Sequence, residues 1–269
     1  MADDVFFSIA QTPVNGVTPS ESQMFRNFFA QVEAADELGF GTAWIAESHL
    51  SSQVQKQTST PVIPHWEGEV GLNVDFHQLA TRIFQRTKRI EAGSAILNVL
   101  CNGGPVAHAE RTAAFLMQHG LDPDETRRIH LGFAAGRFDF MNHAYGIGPR
   151  SALEKAAWPA LKGQVFRRAA QLFTRLLRGD ALASAAVPNV VLRAEHFRKP
   201  EQFEVFRELA GADEAEIPPF FDFEVLQIVP RDWRRELLQL VVGSHDPAVQ
   251  VEVNQVLPVH VFNLSITRG

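Results

Sequence analysis

The chain has 269 residues, with 25 Lys and Arg against 31 Asp and Glu for a formal charge of −6, and 45% hydrophobic against 21% charged residues. That composition is ordinary for a globular protein and excludes disorder of the whole chain, while the acidic balance argues against nucleic-acid binding, which takes a clustered cationic face. The single cysteine, Cys101, excludes an internal disulfide and a cysteine-cluster metal site. No apolar run nears the roughly 20 residues that span a bilayer, and the start MADDVFFSIA lacks a basic stretch before its short apolar run, so a cytoplasmic location is expected.

In the first half, short runs rich in Val, Ile and Phe alternate with stretches of helical period, the pattern of βα units around a parallel sheet. Residues 5–10 predict the first strand. From 22 to 38, Met24, Phe25, Phe28, Phe29, Val32, Ala35 and Leu38 recur every three or four residues and Gly39 follows as a stop signal, which predicts an amphipathic helix. The second strand is expected at 42–46, the second helix at 76–84, the third strand at 90–97 and the third helix at 106–118. A fourth strand, 128–134, runs into Ala134-Ala135-Gly136, small residues that let another group approach the backbone. The longest amphipathic stretch, 151–177, carries the richest basic cluster, Arg167, Arg168, Arg175 and Arg178, read as the solvated side of that helix. From about 178 to 223 the pattern breaks at Pro188, Pro200, Pro218 and Pro219 and the acidic run ADEAE, which predicts an insertion, part hairpin and part mobile loop. Regularity returns with a strand at 237–242, a helix at 247–256 and a strand at 259–266.

Parallel strands joined by helices leave a doubly wound sheet or a closed eight-stranded barrel. The turn after the first strand reads QTPVNG, and neither GxGxxG nor GxxxxGK[ST] occurs anywhere, which favours the barrel. Only six parallel strands are convincing. The expected fold is therefore α/β, one domain over residues 1–269: a TIM-type barrel incomplete at its C-terminal end, with an insertion after the fourth strand.

Functional groups of such a fold sit where strands end. Here those places hold Gln11, then Glu47 with Ser48 and His49, residues 98–104, Ala134 to Arg137, Ser244 with His245, and Asn263 to Ser265. Glu47 and His49 form a potential acid/base pair, since residues two apart in extended backbone share a side and a carboxylate readies an imidazole for proton transfer. The plainer alternative is a hydrogen bond at the rim. His65, His77, His143, His196 and His260 are scattered, without HxxxH or HxH, so no metal site is expected. Gly243-Ser244-His245-Asp246 has hydrolase letters but no GxSxG elbow. Cys101 is expected in a rim loop, where exposure is open to it, but nothing adjacent favours its thiolate, so no reactive role is expected.

The runs FFAQVEAADELGFGTAWIAESHL, TKRIEAGSAILNVLCNGGPVAHAERTA and RIHLGFAAGRFDF resemble the bacterial luciferase-like flavin-dependent monooxygenases. The motif positions are Glu37 to Phe40, Glu47 with His49, Thr87 with Ile90 and Gly93, and Pro105, Val106, Ala109 and Glu110. They cover roughly the first half of the chain, and a fainter match continues at LQIVP and LLQLVVGSHDPAVQ. The resemblance implies a shortened, divergent member that holds reduced FMN, or F420 in some branches, at the carboxyl ends of its strands. It places the flavin ring near Ala95, Ile96, Ala134 and Ala135, the phosphate near Gly243 and Ser244, and His49 with Glu47 in proton transfer. An arginine that contacts the phosphate in the luciferases would fall at Ala135, and Arg137 stands two residues on as a substitute.

The activity so implied is two-component: reduced flavin from a separate reductase, and oxidation of a small organic substrate through a flavin C4a-(hydro)peroxide. The alternative is a non-catalytic flavin-binding or partner subunit, as the non-fluorescent flavoprotein of luminous bacteria exemplifies. The departures are Ser48 in place of a first histidine, Leu116 near the usual aspartate of the third helix, and HGLDPDETRR in place of Ser-x-Gly-Arg. The last two βα units of the family barrel are also expected to be absent, so a partner chain or part of the insertion is expected to cover the open edge. A homodimer, or a heterodimer with a homologue, is expected through Phe25, Phe28, Phe29 and the second helix. Substrate walls are expected from residues 50–74 and 137–225, with Gln53, Gln55, Gln57, His65 and Trp66 as candidates.

Overall fold

The computed structural model describes residues 3–11, 13, 15–51, 69 and 71–261. Six strands, β1 (Val5–Phe7), β2 (Thr42–Ile45), β3 (Glu91–Asn98), β4 (Ile129–Ala134), β7 (Leu238–Val242) and β8 (Val259–Val261), form one sheet in that spatial order. Every neighbouring pair is parallel. The helices between them are α1 (Glu21–Leu38), α2 (Phe76–Arg86), α3 (Gly104–His119), α5 (Ala152–Arg178) and α7 (Pro247–Val256). The sheet does not close among the described residues: β1 and β8 are its edges. The fold is an open barrel of the TIM type.

Local chemistry starts and stops these elements where the periodicity predicts. Ser20, Asp75 and Ser151 cap α1, α2 and α5 by accepting the third residue's N–H, and Gly39 ends α1 in the left-handed region at φ 86°. Asp36, buried in the last turn of α1, accepts N–H bonds from Lys88, Arg89 and Ile90 at 3.0, 2.8 and 2.7 Å, which ties α1 to the approach to β3. Burial opposes its charge, but these donors outweigh it and hold the carboxyl below its ordinary range.

Alternation along the strands gives the sheet two different faces. Phe7, Ile45, Ser94, Leu131 and Leu240 share one row, buried with the helices in the apolar core. The opposite face carries the row Phe6, Trp44, Gly93, His130 and Gln239 across five strands. Gly93 is required there, because a Cβ would lie 2.5 Å from the Trp44 ring, which passes over it to within 5.5 Å of His130. His130 meets Glu91 at 2.5 Å, so this face is partly polar, and Phe6 at the edge stays 50% exposed.

The insertion departs from expectation in three ways. Its strands, β5 (Val190–Leu192) and β6 (Ala215–Ile217), pair antiparallel with each other and add nothing to the parallel sheet, so the insertion does not fill the open edge. Between them lies a helix, α6 (Pro200–Ala210), that the reading as hairpin and loop missed; proline at its start and Gly211 at φ 68° after its end were its signals. Arg168 corrects the reading of a solvated basic face. It is only 6% exposed and donates to the carbonyls of Ser184, Val187 and Phe221, stitching the insertion to α5. Arg167, Arg175 and Arg178 do lie nearer the surface, paired with Glu252 and Asp180.

The first strand is shorter than expected because residues 8–10 leave the ladder, and the end of the last one, 262–266, lies outside the described residues. Phe28 and Phe29 face their own core, with Phe28 edge-on to Phe7 at 5.5 Å. No described helix is long and apolar enough to cross a membrane.

Candidate functional site

Glu47, Ser48 and His49 leave the carboxyl end of β2 in a loop held by the segment before α2. The Ser48 N–H donates to Asn73 O and the Asn73 side chain donates to Ala46 O, both at 3.0 Å. The expected pair is formed: His49 Nε2 and Glu47 Oε1 lie 3.0 Å apart, with the side chains 3% and 1% exposed. Glu47 Oε2 has no hydrogen-bond partner among the described residues. Burial pushes the Glu47 carboxyl up, against the pull of its bond with His49. Because Nε2 is taken, Nδ1 is the His49 nitrogen left to serve a bound molecule. The Tyr145 ring and the imidazole lie edge to face, their centroids 6.2 Å apart.

A carboxamide network joins the ends of β3 and β4 beside this pair. Asn98 Nδ2 donates to Asn142 Oδ1 at 2.7 Å, Asn142 Nδ2 donates to Ala135 O at 3.0 Å, and Asn98 Oδ1 accepts from Leu100 N at 3.1 Å. Gly136, at φ 72°, makes room, since a Cβ would fall 2.1 Å from Asn98 Nδ2. Cys101 is wholly buried rather than exposed at the rim, and its thiol donates to Asn142 Oδ1 at 3.4 Å. Burial, with Glu47 adding to it, pushes that thiol up to about 12, so it stays protonated. His108 reaches Cys101 O at 3.0 Å, and burial lowers its pKa to about 3, which leaves a neutral ring donating Nε2–H.

Of the residues expected around a flavin, Ile96 and Ala134 from the ring set meet Gly243 from the phosphate set. Ile96 lies over Gly132 and Gly243: a Cβ on Gly243 would be 2.6 Å from Ile96 Cδ1 and 3.3 Å from Ala134 Cβ. Ala95 is buried beside it, and the Ala95–Ile96 peptide is cis. Ala135 takes part through its carbonyl, which Asn142 holds. Ser244 is bound into the start of α7, its Oγ accepting from Asp246 N and its carbonyl from Gln250 Nε2. Arg137 is exposed on the loop beyond, its guanidinium 5.5 Å from the Phe138 ring. Gln53, Gln55, Gln57, His65 and Trp66 lie outside the described residues.

Asn142 and Tyr145 were hidden in a stretch taken as variable wall; no motif marks MNHAYG, though its tyrosine is the only one in the chain. Among the described residues, no group of three or more His, Cys, Asp or Glu could hold a metal ion.

Polar groups gathered at the carboxyl ends of parallel βα strands define the functional rim of a TIM-type barrel. The profile of the luciferase-like monooxygenases matches residues 5–180, from β1 to just past α5, and the chain belongs to that family. No curated protein matches it. Among solved structures, it is similar to the monooxygenase RslO1 from Streptomyces bottropensis, at 16% identity and a TM-score of 0.57 over 97% of this chain and 59% of that one. It is also similar to the oxygenating constituent of 3,6-diketocamphane monooxygenase from the CAM plasmid of Pseudomonas putida, a type II Baeyer–Villiger monooxygenase in complex with FMN. There identity is 11% and the TM-score 0.51, over 98% of this chain and 64% of that one. The chain thus spans less than two thirds of the length of either.

Proposed function

We propose that this chain is the oxygenating component of a two-component system that takes reduced FMN from a separate flavin reductase and oxidises a small organic substrate. The observation that carries this reading is the buried Glu47–His49 pair at the rim, beside the shelf of Ile96, Ala134 and Gly243. The shelf suits a flat ring, because the glycines and alanines along it keep side chains from standing up from the sheet. Arg137 and the backbone around Gly243 and Ser244 would hold the phosphate. When bound, the reduced flavin supplies the electrons and the activation of oxygen.

The chain's own residues supply proton handling and exclusion of water. His49 Nδ1 takes or gives the proton at the substrate, and Glu47 fixes the imidazole through Nε2. F420 is the alternative cofactor on the same shelf. A non-catalytic flavin-binding subunit, paired with a complete homologue, is the second reading; the sheet, unclosed among the described residues, favours it.

Anaerobic titration with reduced FMN, followed by mixing with oxygen under stopped-flow absorbance, tests the proposal. A long-lived species distinct from free oxidised flavin supports an oxygenase. Binding without such a species supports the non-catalytic subunit, and absence of binding refutes both.

A further inference from the structure

His49 stands at a strand end where a substrate would have to arrive, yet it is 3% exposed. Glu47 binds Nε2 of its ring, and the Tyr145 ring packs against it edge to face, the centroids 6.2 Å apart at 83°. Tyr145 is itself 39% exposed, so it reaches from the imidazole to solvent. We propose that Tyr145 is the access residue of this site: its ring closes the approach to His49, and an incoming molecule reaches Nδ1 by displacing it.

The backbone around Tyr145 is fixed, while its side chain borders open space. Its N–H donates to Asn142 O at 3.0 Å, and the Asn142 side chain is pinned to Asn98 and to Ala135 O. The short helix α4 (Asp139–Ala144), which carries Asn142, is held to α5 by the Lys162–Asp139 ion pair at 2.6 Å. Immediately after Tyr145, Gly146 sits at φ 80° with nothing within 4 Å of where a Cβ would be. The Gly146 N–H donates to His143 O at 3.0 Å and the Ile147 N–H to Asn142 O at 2.9 Å, so the backbone is held on both sides of the ring. A ring swung about its own side-chain bonds uncovers one face of His49 without disturbing the Asn98–Asn142 network.

This role rests on the reading of Glu47 and His49 as the reacting pair, but its test needs neither flavin nor substrate, so the two fail separately. The rate of His49 carbethoxylation by diethyl pyrocarbonate is measured by peptide mass spectrometry in the full chain, with exposed His260 and buried His108 as internal references. In the wild type, His49 should react far more slowly than His260. Tyr145→Phe keeps the ring and should leave that rate unchanged. Tyr145→Ala should raise it several-fold while His260 and His108 hold their rates. An unchanged His49 rate in Tyr145→Ala, a rise that His108 shares, or an equal rise in Tyr145→Phe overturns the proposal.

Discussion

Glu47→Gln is expected to make the protein more stable at neutral and alkaline pH while impairing the site. The Glu47 side chain is 1% exposed; one oxygen faces His49 Nε2 at 3.0 Å and the other has no hydrogen-bond partner among the described residues. A buried acceptor left unsatisfied costs about 1–3 kcal/mol, and more when it is charged. Glutamine keeps an oxygen for the His49 N–H and removes the charge, so a gain of roughly 1 kcal/mol, or about 2–4 °C in Tm, is expected at about pH 8. The sign of the pH dependence follows from burial, which raises the folded-state pKa above the ordinary 4.5. Below that value the carboxyl is protonated in both states and the substitution is nearly neutral. As pH rises, the unfolded chain releases its proton first, the wild type loses stability relative to the variant, and the gap is complete above the raised pKa. Urea unfolding followed by tryptophan fluorescence, at about pH 4 and about pH 8, measures both limits. Destabilisation of the variant at the higher pH would make Glu47 a structural acceptor. An equal gap at both pH values would separate the effect from ionisation.

The remaining expectations concern the frame around the site. Asp36→Ala removes the acceptor for three backbone N–H groups and should cost about 3 kcal/mol in urea unfolding; because its folded pKa is lowered, the loss should shrink as pH falls below the ordinary carboxylate range. At Gly132 a Cβ would stand 2.2 Å from Ser94 O, which is backbone, whereas at Gly243 it would meet the movable end of Ile96 at 2.6 Å. Gly132→Ala should therefore lower Tm clearly and Gly243→Ala much less, and the order is checked by thermal melts. At Glu125, burial opposes the charge, but Arg127 outweighs it and lowers the carboxyl to about 2 from 4.5. Glu125→Gln should accordingly destabilise at neutral pH, with the difference fading between pH 4.5 and about 2.

Much of this was legible because local periodicity and capping carry it. The strand at 42–46 and the helices at 22–38 and 247–256 are found within a residue of the expected bounds, since a heptad-like apolar stripe or a short β-branched run can satisfy only one backbone period. Glu47 and His49 were legible for a similar reason: two residues apart, they can meet without help from distant parts of the chain. Asn98 and Asn142 are 44 residues apart, and nothing in either neighbourhood signals that they share a hydrogen bond. Arg168 misled because spacing places it with Arg167, Arg175 and Arg178, while its burial depends on an insertion whose docking spacing cannot express. The same insertion concealed α6, since prolines that open a helix read as readily as loop breakers.

The site's geometry depends on contacts that the sheet alone would not impose. Parallel strands fix the spacing of β3 and β4 through the ladder, but beyond Asn98 and Ala134 the chain leaves the ladder and the two loops could diverge. The Asn142 carboxamide prevents this. Its oxygen accepts from Asn98 and from Cys101, and its amide donates to Ala135 O. Its own carbonyl takes the N–H groups of Tyr145 and Ile147. One buried residue thus holds the edge of the Ile96–Ala134 shelf, the loop beside Glu47 and the ring that meets His49. Because a half-satisfied buried network is costlier than an apolar core, these bonds stand or fall together, and the distance between the shelf and the acid–base pair is set by packing and hydrogen bonding as one unit.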